Sequence, residues 1–444
     1  MKAKQLFTAL LFVVLGLAAV QAQNGNAPQP ADTMEGTGTL RLSLAEAQQY
    51  AIEHNYTLQN ASLEVKNSEA AKWQAISSML PQISSSFDYS NMLGYEMSMG
   101  GFTIPLNPYG SFAATATVTL SASQLMGALM KDIAVEMSNI EYQQSELTTR
   151  TSVKSVYTSI LVMEDVVSLL DSSLSNMLTL LESTRKSVKA GASEQIEYDK
   201  LSVQVATLRN SITSNRRTLK MLYSSLILQL GADVDAQLEL TTALEQVMDI
   251  NEVAKLTMNG FDIEDNYNYQ LLVQNEKLSQ RQVTNAWLQF APSLTAAYQY
   301  NAKTYFGQDE GMNMTPPQMV SASINLPIFQ SGSRLAAVRQ AKIAQQENAN
   351  TKRQTEDALQ VEFNQDCYNL VTAIESYKTQ KENLAVTKRV LDNTSGKYRT
   401  GYASNLEVTN ASTDLITAQS NYVQAVMDVV TAQIALENLL GKKE

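Results

Sequence analysis

The chain has 444 residues, a formal net charge of −11, one Cys and one His. The acidic balance argues against nucleic acid as a partner, because phosphate binding needs clustered Lys and Arg. A lone Cys367 beside a lone His54 cannot form an internal disulfide or a conventional metal cluster within one chain, and no cofactor is expected.

Residues 1–22 read as a secretory leader. Lys2 and Lys4 give the basic start, "LFTALLFVVLGLAAV" the apolar run and "VQA" the small-residue cut, with Gln23 as the new N-terminus. The competing reading is an N-terminal membrane anchor; no Cys follows the cut, which speaks against a lipid anchor there. Removing both lysines takes the charge from −11 to −13. After residue 22 no apolar run is read as long enough for a transmembrane helix. The exported chain is therefore soluble or crosses a membrane as strands.

The first repeat, 23–231, opens with a helical pattern over 43–83. Leu44, Ala47, Ala51, Leu58 and Ala61 share a face, and Pro81 ends the pattern. The period then changes to two. Ile83, Phe87 and Tyr89 alternate with Ser and Asp over 83–91, and Phe112, Ala114, Ala116, Val118 and Leu120 alternate with small residues over 111–120. Between these strands lies a long loop, about 92–110, rich in Gly, Pro, Asn and Met. His54 is placed on the helix surface, and Asp88 either faces a lumen or ends a loop.

A long arm, about 123–188, follows. Val153, Ile160, Val167, Leu174, Leu181 and Val188 stand seven apart, with Val156, Met163, Leu170 and Met177 alongside, the seam of helices that wrap left-handedly. At ~1.5 Å per residue this arm is roughly 95–100 Å long. "KAGASEQIE" (189–197) then turns the chain at Gly191 into a second arm over 194–230, seamed by Leu201, Val205, Leu208, Ile212, Asn215, Leu219, Leu222 and Leu226.

An inter-repeat segment, 232–264, separates this unit from a second repeat, 265–444. There "NYQLLVQNEKLSQRQVTNAWLQFAPSL" (268–294) is helical and ends at Pro292, with Asn268-Tyr269-x-Leu271 matching Asn55-Tyr56-x-Leu58. Strands are expected over 293–301 and 318–326, with a loop over 302–317. The heptad line returns as Phe363, Leu370, Tyr377, Leu384, Leu391 and Tyr398. "RTGYASNLE" (399–407) repeats the tip at Gly401, and "LG" at 230–231 recurs at 440–441.

Four strands are too few for a closed membrane barrel, which has at least about eight, and open sheet edges are not tolerated in lipid. If the strands span a membrane, several copies must share one barrel. Two copies leave little lumen, whereas three give twelve strands. Phe102, Tyr109, Tyr305 and Phe306 sit where an aromatic girdle belongs. The plainer alternative is an ordinary sheet with one wet face.

The sequence resembles the TolC-type outer-membrane efflux family of Gram-negative bacteria. The likeness rests on "LSLAEAQQYAIEHNYTL" near the start, the internal duplication, "LPIFQSGSRLAAVRQAK" (326–342) and the two glycine tips. It implies a mainly helical, internally duplicated chain that contributes four strands to a trimeric, twelve-stranded barrel in outer-membrane lipid. A helical tunnel would extend into the periplasm, belted by 232–264 and by segments near both termini. It further implies a homotrimer that passively conducts cargo from a periplasmic adaptor and an inner-membrane pump to the exterior.

By position, the resemblance makes the tips adaptor-docking grooves: Lys189, Gly191, Ser193 and Ile196 in the first, Arg399, Gly401, Ser404 and Leu406 in the second. It makes Glu407, with Glu197, a periplasmic gate acid and Tyr398 a latch. The family's second acidic gate position is Asn410 here. "LSAS" (120–123) lacks the proline of "LPIF", and "FQSG" replaces an acidic, glycine-rich stretch. Simpler readings stand beside these: Glu197 and Glu407 as acids in a helix's first turn, favoured by its dipole, and Tyr398 as seam packing.

No nucleophile–base constellation or phosphate loop is found; the Gly-x-Gly of "EGTGTLR" (35–41) has no helix-opening glycine after it. An enzyme is not expected. The alternative function is a secreted periplasmic coiled-coil scaffold or holdase chaperone without a pore, which accounts for the heptads but not for the matched pairs of strands.

Overall fold

A computed structural model of the chain describes residues 39–99, 102–105, 107–247, 250–258, 260–306 and 315–441. The leader read in 1–22 lies outside these residues. Strand β1 (Leu40–Leu42) leads to Ser43, which caps helix α1 (Leu44–His54) in a capping box with Glu46. Expected as continuous over 43–83, this helix is broken at Asn55. That residue leaves the helical region and caps α2 (Tyr56–Ser77), its side chain accepting from the backbone N–H groups of Thr57 and Leu58. His54 is not merely at the surface: its ring stacks on Tyr50 with centroids 4.1 Å apart.

Strand β2 (Gln82–Ser90) follows, then a short hairpin, β3 (Glu96–Met99) and β4 (Phe102–Pro105), inside the stretch expected to be a loop. Strand β5 (Tyr109–Ser121) runs without a gap into α3 (Ala122–Lys189), whose 68 residues span about 100 Å at ~1.5 Å per residue. Helix α4 (Gln195–Leu230) returns. The inter-repeat segment holds β6 (Leu238–Leu240), α5 (Leu244–Val247), α6 (Ile250–Lys255) and two single 3-10 turns. The second repeat comprises α7 (Tyr267–Leu288), β7 (Ser293–Tyr305), β8 (Gln318–Asn325), α8 (Ser333–Arg399) and α9 (Asn405–Leu440).

The heptad seams are the core. Val153, Ile160, Leu370, Tyr377, Val429 and Leu436 lie in one buried cluster at the belt. Leu170, Leu201, Leu208, Leu391, Ala411 and Leu415 form a second cluster toward the tips. Cys367 packs half-buried against the first cluster, and burial raises its thiol pKa. Helix α9 is long and apolar enough to cross a membrane, contrary to the expectation that no such run follows residue 22. Half of its most apolar window is buried within the bundle, so its apolar face is already used by other helices.

Because α4 is much shorter than α3, the rest of α3 needs other partners. Helix α2 provides one, through Ser68–Ser138 at 2.7 Å and Lys72–Asp132 at 2.5 Å. Helix α7 provides another, through Ser123–Asn285 at 2.8 Å and Gln144–Asn268 at 3.0 Å.

Helix α4 ends where α2 begins. The Asn55 side chain caps α2 and donates its amide N–H to the carbonyl of Gln229 at 2.7 Å, satisfying both helix ends at once. Asn266 does the same for α7, donating to the carbonyl of Leu439 at 2.9 Å. The structural counterpart of Asn55 is therefore Asn266, not Asn268. The string Asn-Tyr-Asn-Tyr over 266–269 offers two registers, and the joint uses the first.

The belt closes on Tyr157, which is fully buried. Its hydroxyl donates to the carbonyl of Leu42 at 3.0 Å and accepts from the N–H of Thr242 at 3.2 Å. Strands β1 and β6, which pair in parallel, are thereby fastened to α3.

Candidate functional site

The four long strands form one antiparallel sheet in the order β2-β5-β7-β8, so two hairpins are joined through β5 and β7, and β2 and β8 are its edges. Register sorts the side chains. On one face Ile83 and Phe87 of β2 stand opposite Ala116 and Phe112, and Leu120 and Val118 opposite Leu294 and Ala296. The same face carries Val320 and Ile324 on β8, opposite Tyr298 and Leu294. The other face carries Gln82, Ser84, Ser86, Asp88, Ser111, Thr115, Thr119, Thr295, Gln299, Asn301 and Lys303.

Exposure differs from strand to strand: β8, and β2 up to Tyr89, are exposed on both faces, β5 is half-buried on both except at Leu120, and β7 alone alternates. Along β7 the exposed residues are Leu294, Ala296, Tyr298, Tyr300, Ala302 and Thr304, while the alternate ones, mostly polar, are half-buried. Ile83 is 81% exposed and Val320 80%. An ordinary wet-faced sheet has the opposite arrangement, whereas a wall between lipid and a polar lumen has this one. At the end far from the helices, Tyr109 and Tyr305 pack 5.8 Å apart and Tyr89 and Phe306 6.0 Å apart; the register puts Tyr109 and Tyr305 on the polar face with Lys303, not on the apolar face where an aromatic girdle belongs. The side chain of Phe102 lies outside the described set.

The tips are nearly superimposable in logic. Gly191 and Gly401 hold φ of +73° and +80°, a left-handed conformation that glycine adopts most cheaply. At the first tip the N–H of Ala192 donates to the carbonyl of Ser187 at 2.8 Å, and at the second that of Tyr402 to Lys397 at 2.9 Å. Lys189 and Arg399 occupy the last turns of α3 and α8 and are exposed, favourable places for cations. Ile196 and Leu406 are 49% and 65% exposed, while Ser193 is half-buried.

The tips differ in how the next helix starts. Glu194 opens α4 without a side-chain cap. Ser404 opens α9 in a capping box: its N–H and hydroxyl donate to Glu407 Oε2 at 2.6 and 3.1 Å, and the Glu407 N–H donates back to its hydroxyl at 3.2 Å. Those bonds, chiefly from the Ser404 backbone, hold the Glu407 carboxyl below its usual pKa. Glu407 and Asn410 are exposed, and Glu197 lies 3.8 Å from Lys200.

Two contacts bind the tips together. The Tyr398 hydroxyl lies 3.2 Å from that of Thr184, and Asn405 donates its side-chain N–H to the carbonyl of Glu197 at 2.7 Å. Tyr398 was legible as a seam position. Thr184 and Asn405 were not, since nothing local distinguishes them from other polar helix residues. Ser404-x-x-Glu407 was a readable capping signature.

Residues 272–442 match the family model described as outer membrane efflux protein. Outer membrane efflux protein BepC of Brucella suis biovar 1 (strain 1330) is 29% identical over 143 residues, which are 31% of this chain and 30% of BepC; the match thus spans less than a third of that curated relative. A membrane protein from Pseudomonas aeruginosa has the same fold with a TM-score of 0.73 at 14% identity, covering 91% of each chain. The Campylobacter jejuni CmeC outer membrane channel gives 0.72 at 13% identity, over 90% of this chain and 85% of CmeC. The sequence match to outer membrane efflux proteins thus lies in the second repeat, and the fold shared with these solved outer-membrane proteins runs along both repeats.

Proposed function

We propose that this chain is the outer-membrane channel of a tripartite efflux or type I secretion system. Three copies complete a twelve-stranded barrel and a helical duct, and cargo passes through it passively. The observation that carries this reading is a sheet with one apolar and one polar face, the apolar one the more exposed along β7, and with edge strands β2 and β8 at its two sides. In lipid such edges must be paired, and identical neighbours supply β8-to-β2 pairing around a closed ring.

The tips, built around Gly191 and Gly401, dock a periplasmic adaptor through Lys189, Ser193, Ile196, Arg399, Ser404 and Leu406. An inner-membrane pump supplies the energy, so this chain carries out no chemistry. Glu407, with Glu197 and Asn410 near it in the family's pattern, forms the entrance gate, and Tyr398 latches it. Exposure of Ile196, Leu406 and Glu407 and the Tyr398–Thr184 contact support that assignment.

The test is purification from outer membranes in detergent, mass measurement and planar-bilayer recording. A trimer giving single-channel currents is expected. A monomer recovered from the soluble periplasmic fraction overturns the reading in favour of a secreted scaffold or holdase. The pump that copurifies identifies the cargo class.

A further inference from the structure

Among the described residues on the polar face of the four-stranded sheet, Asp88 and Lys303 are the only charged ones. They also stand at the same level. Asp88 pairs with Ser111, and Ser111 pairs with Lys303. Two strand spacings separate them, about 10 Å at ~4.8 Å per strand. The level is near the end of the sheet away from the helices, two residues from where β5 starts at Tyr109.

Lys303 is held rather than left loose. Its Nζ lies 3.6 Å from the Tyr109 ring centroid and 4.9 Å from that of Tyr305, so two aromatic faces fix the charge against the wall. Asp88 accepts from the Ser86 hydroxyl at 3.1 Å. The rest of the face is Ser, Thr, Ala, Gln and Asn with a few Tyr and Met, and it offers a permeating ion no net charge.

We propose that Asp88 and Lys303 are the charge-selecting residues of the outer mouth. This rests on the trimeric channel reading, under which three of each alternate around one ring of the lumen. Rings of charged side chains set ion preference in pores. Within this ring the two signs are balanced, so the ring by itself discriminates weakly between small cations and anions. Removing either sign leaves the other unopposed.

The experiment is the reversal potential of single channels in a KCl gradient for the full-length protein, Asp88→Asn, Lys303→Gln and the double variant. Lys303→Gln is expected to raise the cation-to-anion permeability ratio by about twofold or more and Asp88→Asn to lower it similarly, with the double variant back near the parent. Both shifts shrink in 1 M salt, where screening is within ~3 Å. In a Cys367→Ala background, Lys303→Cys treated from the outer side with a cationic thiol reagent should return to the parent ratio, and an anionic reagent should move it further away.

Unchanged reversal potentials in conducting channels overturn the proposal while leaving the channel intact. Preparations that never conduct, parent included, overturn the channel reading itself and this proposal with it.

Discussion

Asn55 and Asn266 stand in the same place in the two halves of the chain, each joining the end of one helix to the start of the next. Each accepts from the first turn of one helix and donates to the last carbonyls of another. The two helices thus stack head to tail, with the negative end of one dipole against the positive end of the next. Asn266 is 2% exposed, so truncation leaves buried polar groups unpaired. Asn266→Ala is expected to cost about 1–3 kcal/mol, read as a lower thermal midpoint by circular dichroism in detergent. Asn266→Asp keeps the cap but loses the donor, and should fall between Asn266→Ala and the parent.

The glycines beside these joints should be far less tolerant than those at the tips. All four have positive φ. A Cβ at Gly231 would sit 2.2 Å from the His54 carbonyl oxygen and at Gly441 2.1 Å from that of Asp265, whereas at Gly191 and Gly401 nothing lies within 4 Å. Gly401→Ala should carry only the left-handed backbone penalty, about 1–2 kcal/mol. Gly441→Ala must also push two helices apart. The checking measurement is the yield of folded protein: near parental for Gly401→Ala, strongly reduced for Gly441→Ala.

Between the hairpins, Lys154 of α3 and Glu437 of α9 form an ion pair at 2.7 Å, with side chains 8% and 5% exposed. Gln433 donates to the same carboxylate at 2.6 Å. Lys154→Met should destabilise by about 3–5 kcal/mol because a buried carboxylate loses its counter-charge. Combining it with Glu437→Leu should recover most of that loss, a non-additivity that a double-mutant cycle in thermal denaturation will reveal.

Glu407 makes a pH prediction with a definite sign. Its folded pKa is lowered from 4.5 by the Ser404 bonds and by Lys397. The stabilisation of the α9 start is therefore fully present above pH 4.5 and is lost as pH falls through the lower, folded value. If Glu407 also sets the gate, cation preference persists to below pH 4.5 and disappears only on further acidification. Glu407→Gln should abolish that pH dependence and Glu407→Ala should raise conductance. Channels unchanged by both substitutions would assign Glu407 to capping alone.

For Tyr398, removing only the hydroxyl separates latch from packing. Tyr398→Phe keeps the seam but loses the contact with Thr184, which lies 3.2 Å away. A hydrogen bond worth about 0.5–1.5 kcal/mol predicts roughly two- to tenfold higher open probability in single-channel records. No change would leave Tyr398 a packing residue.

The sequence by itself determined the duplication, the long helices, the four long strands and the tips, because each is written in short-range periodicity; the short elements β1, β3, β4 and β6 were not legible in it. Seven-residue spacing placed Val153, Ile160, Leu370 and Leu391 in the seams, and alternation placed Ile83, Phe87 and Tyr89 on one face of their strand. What it could not determine were relations between distant segments. The two registers of Asn-Tyr-Asn-Tyr over 266–269 were equivalent until Leu439 supplied an acceptor for Asn266. The break at Asn55 had no helix-breaking residue to announce it; the carbonyl of Gln229 in the last turn of α4 defines it. Asp88 and Lys303 came to one level only when β5 fixed the register of β2 and β7. Propensity and periodicity act over one or two turns of chain. Joints, facing partners and strand register are set by which backbone groups meet across hundreds of residues, and only packing decides that.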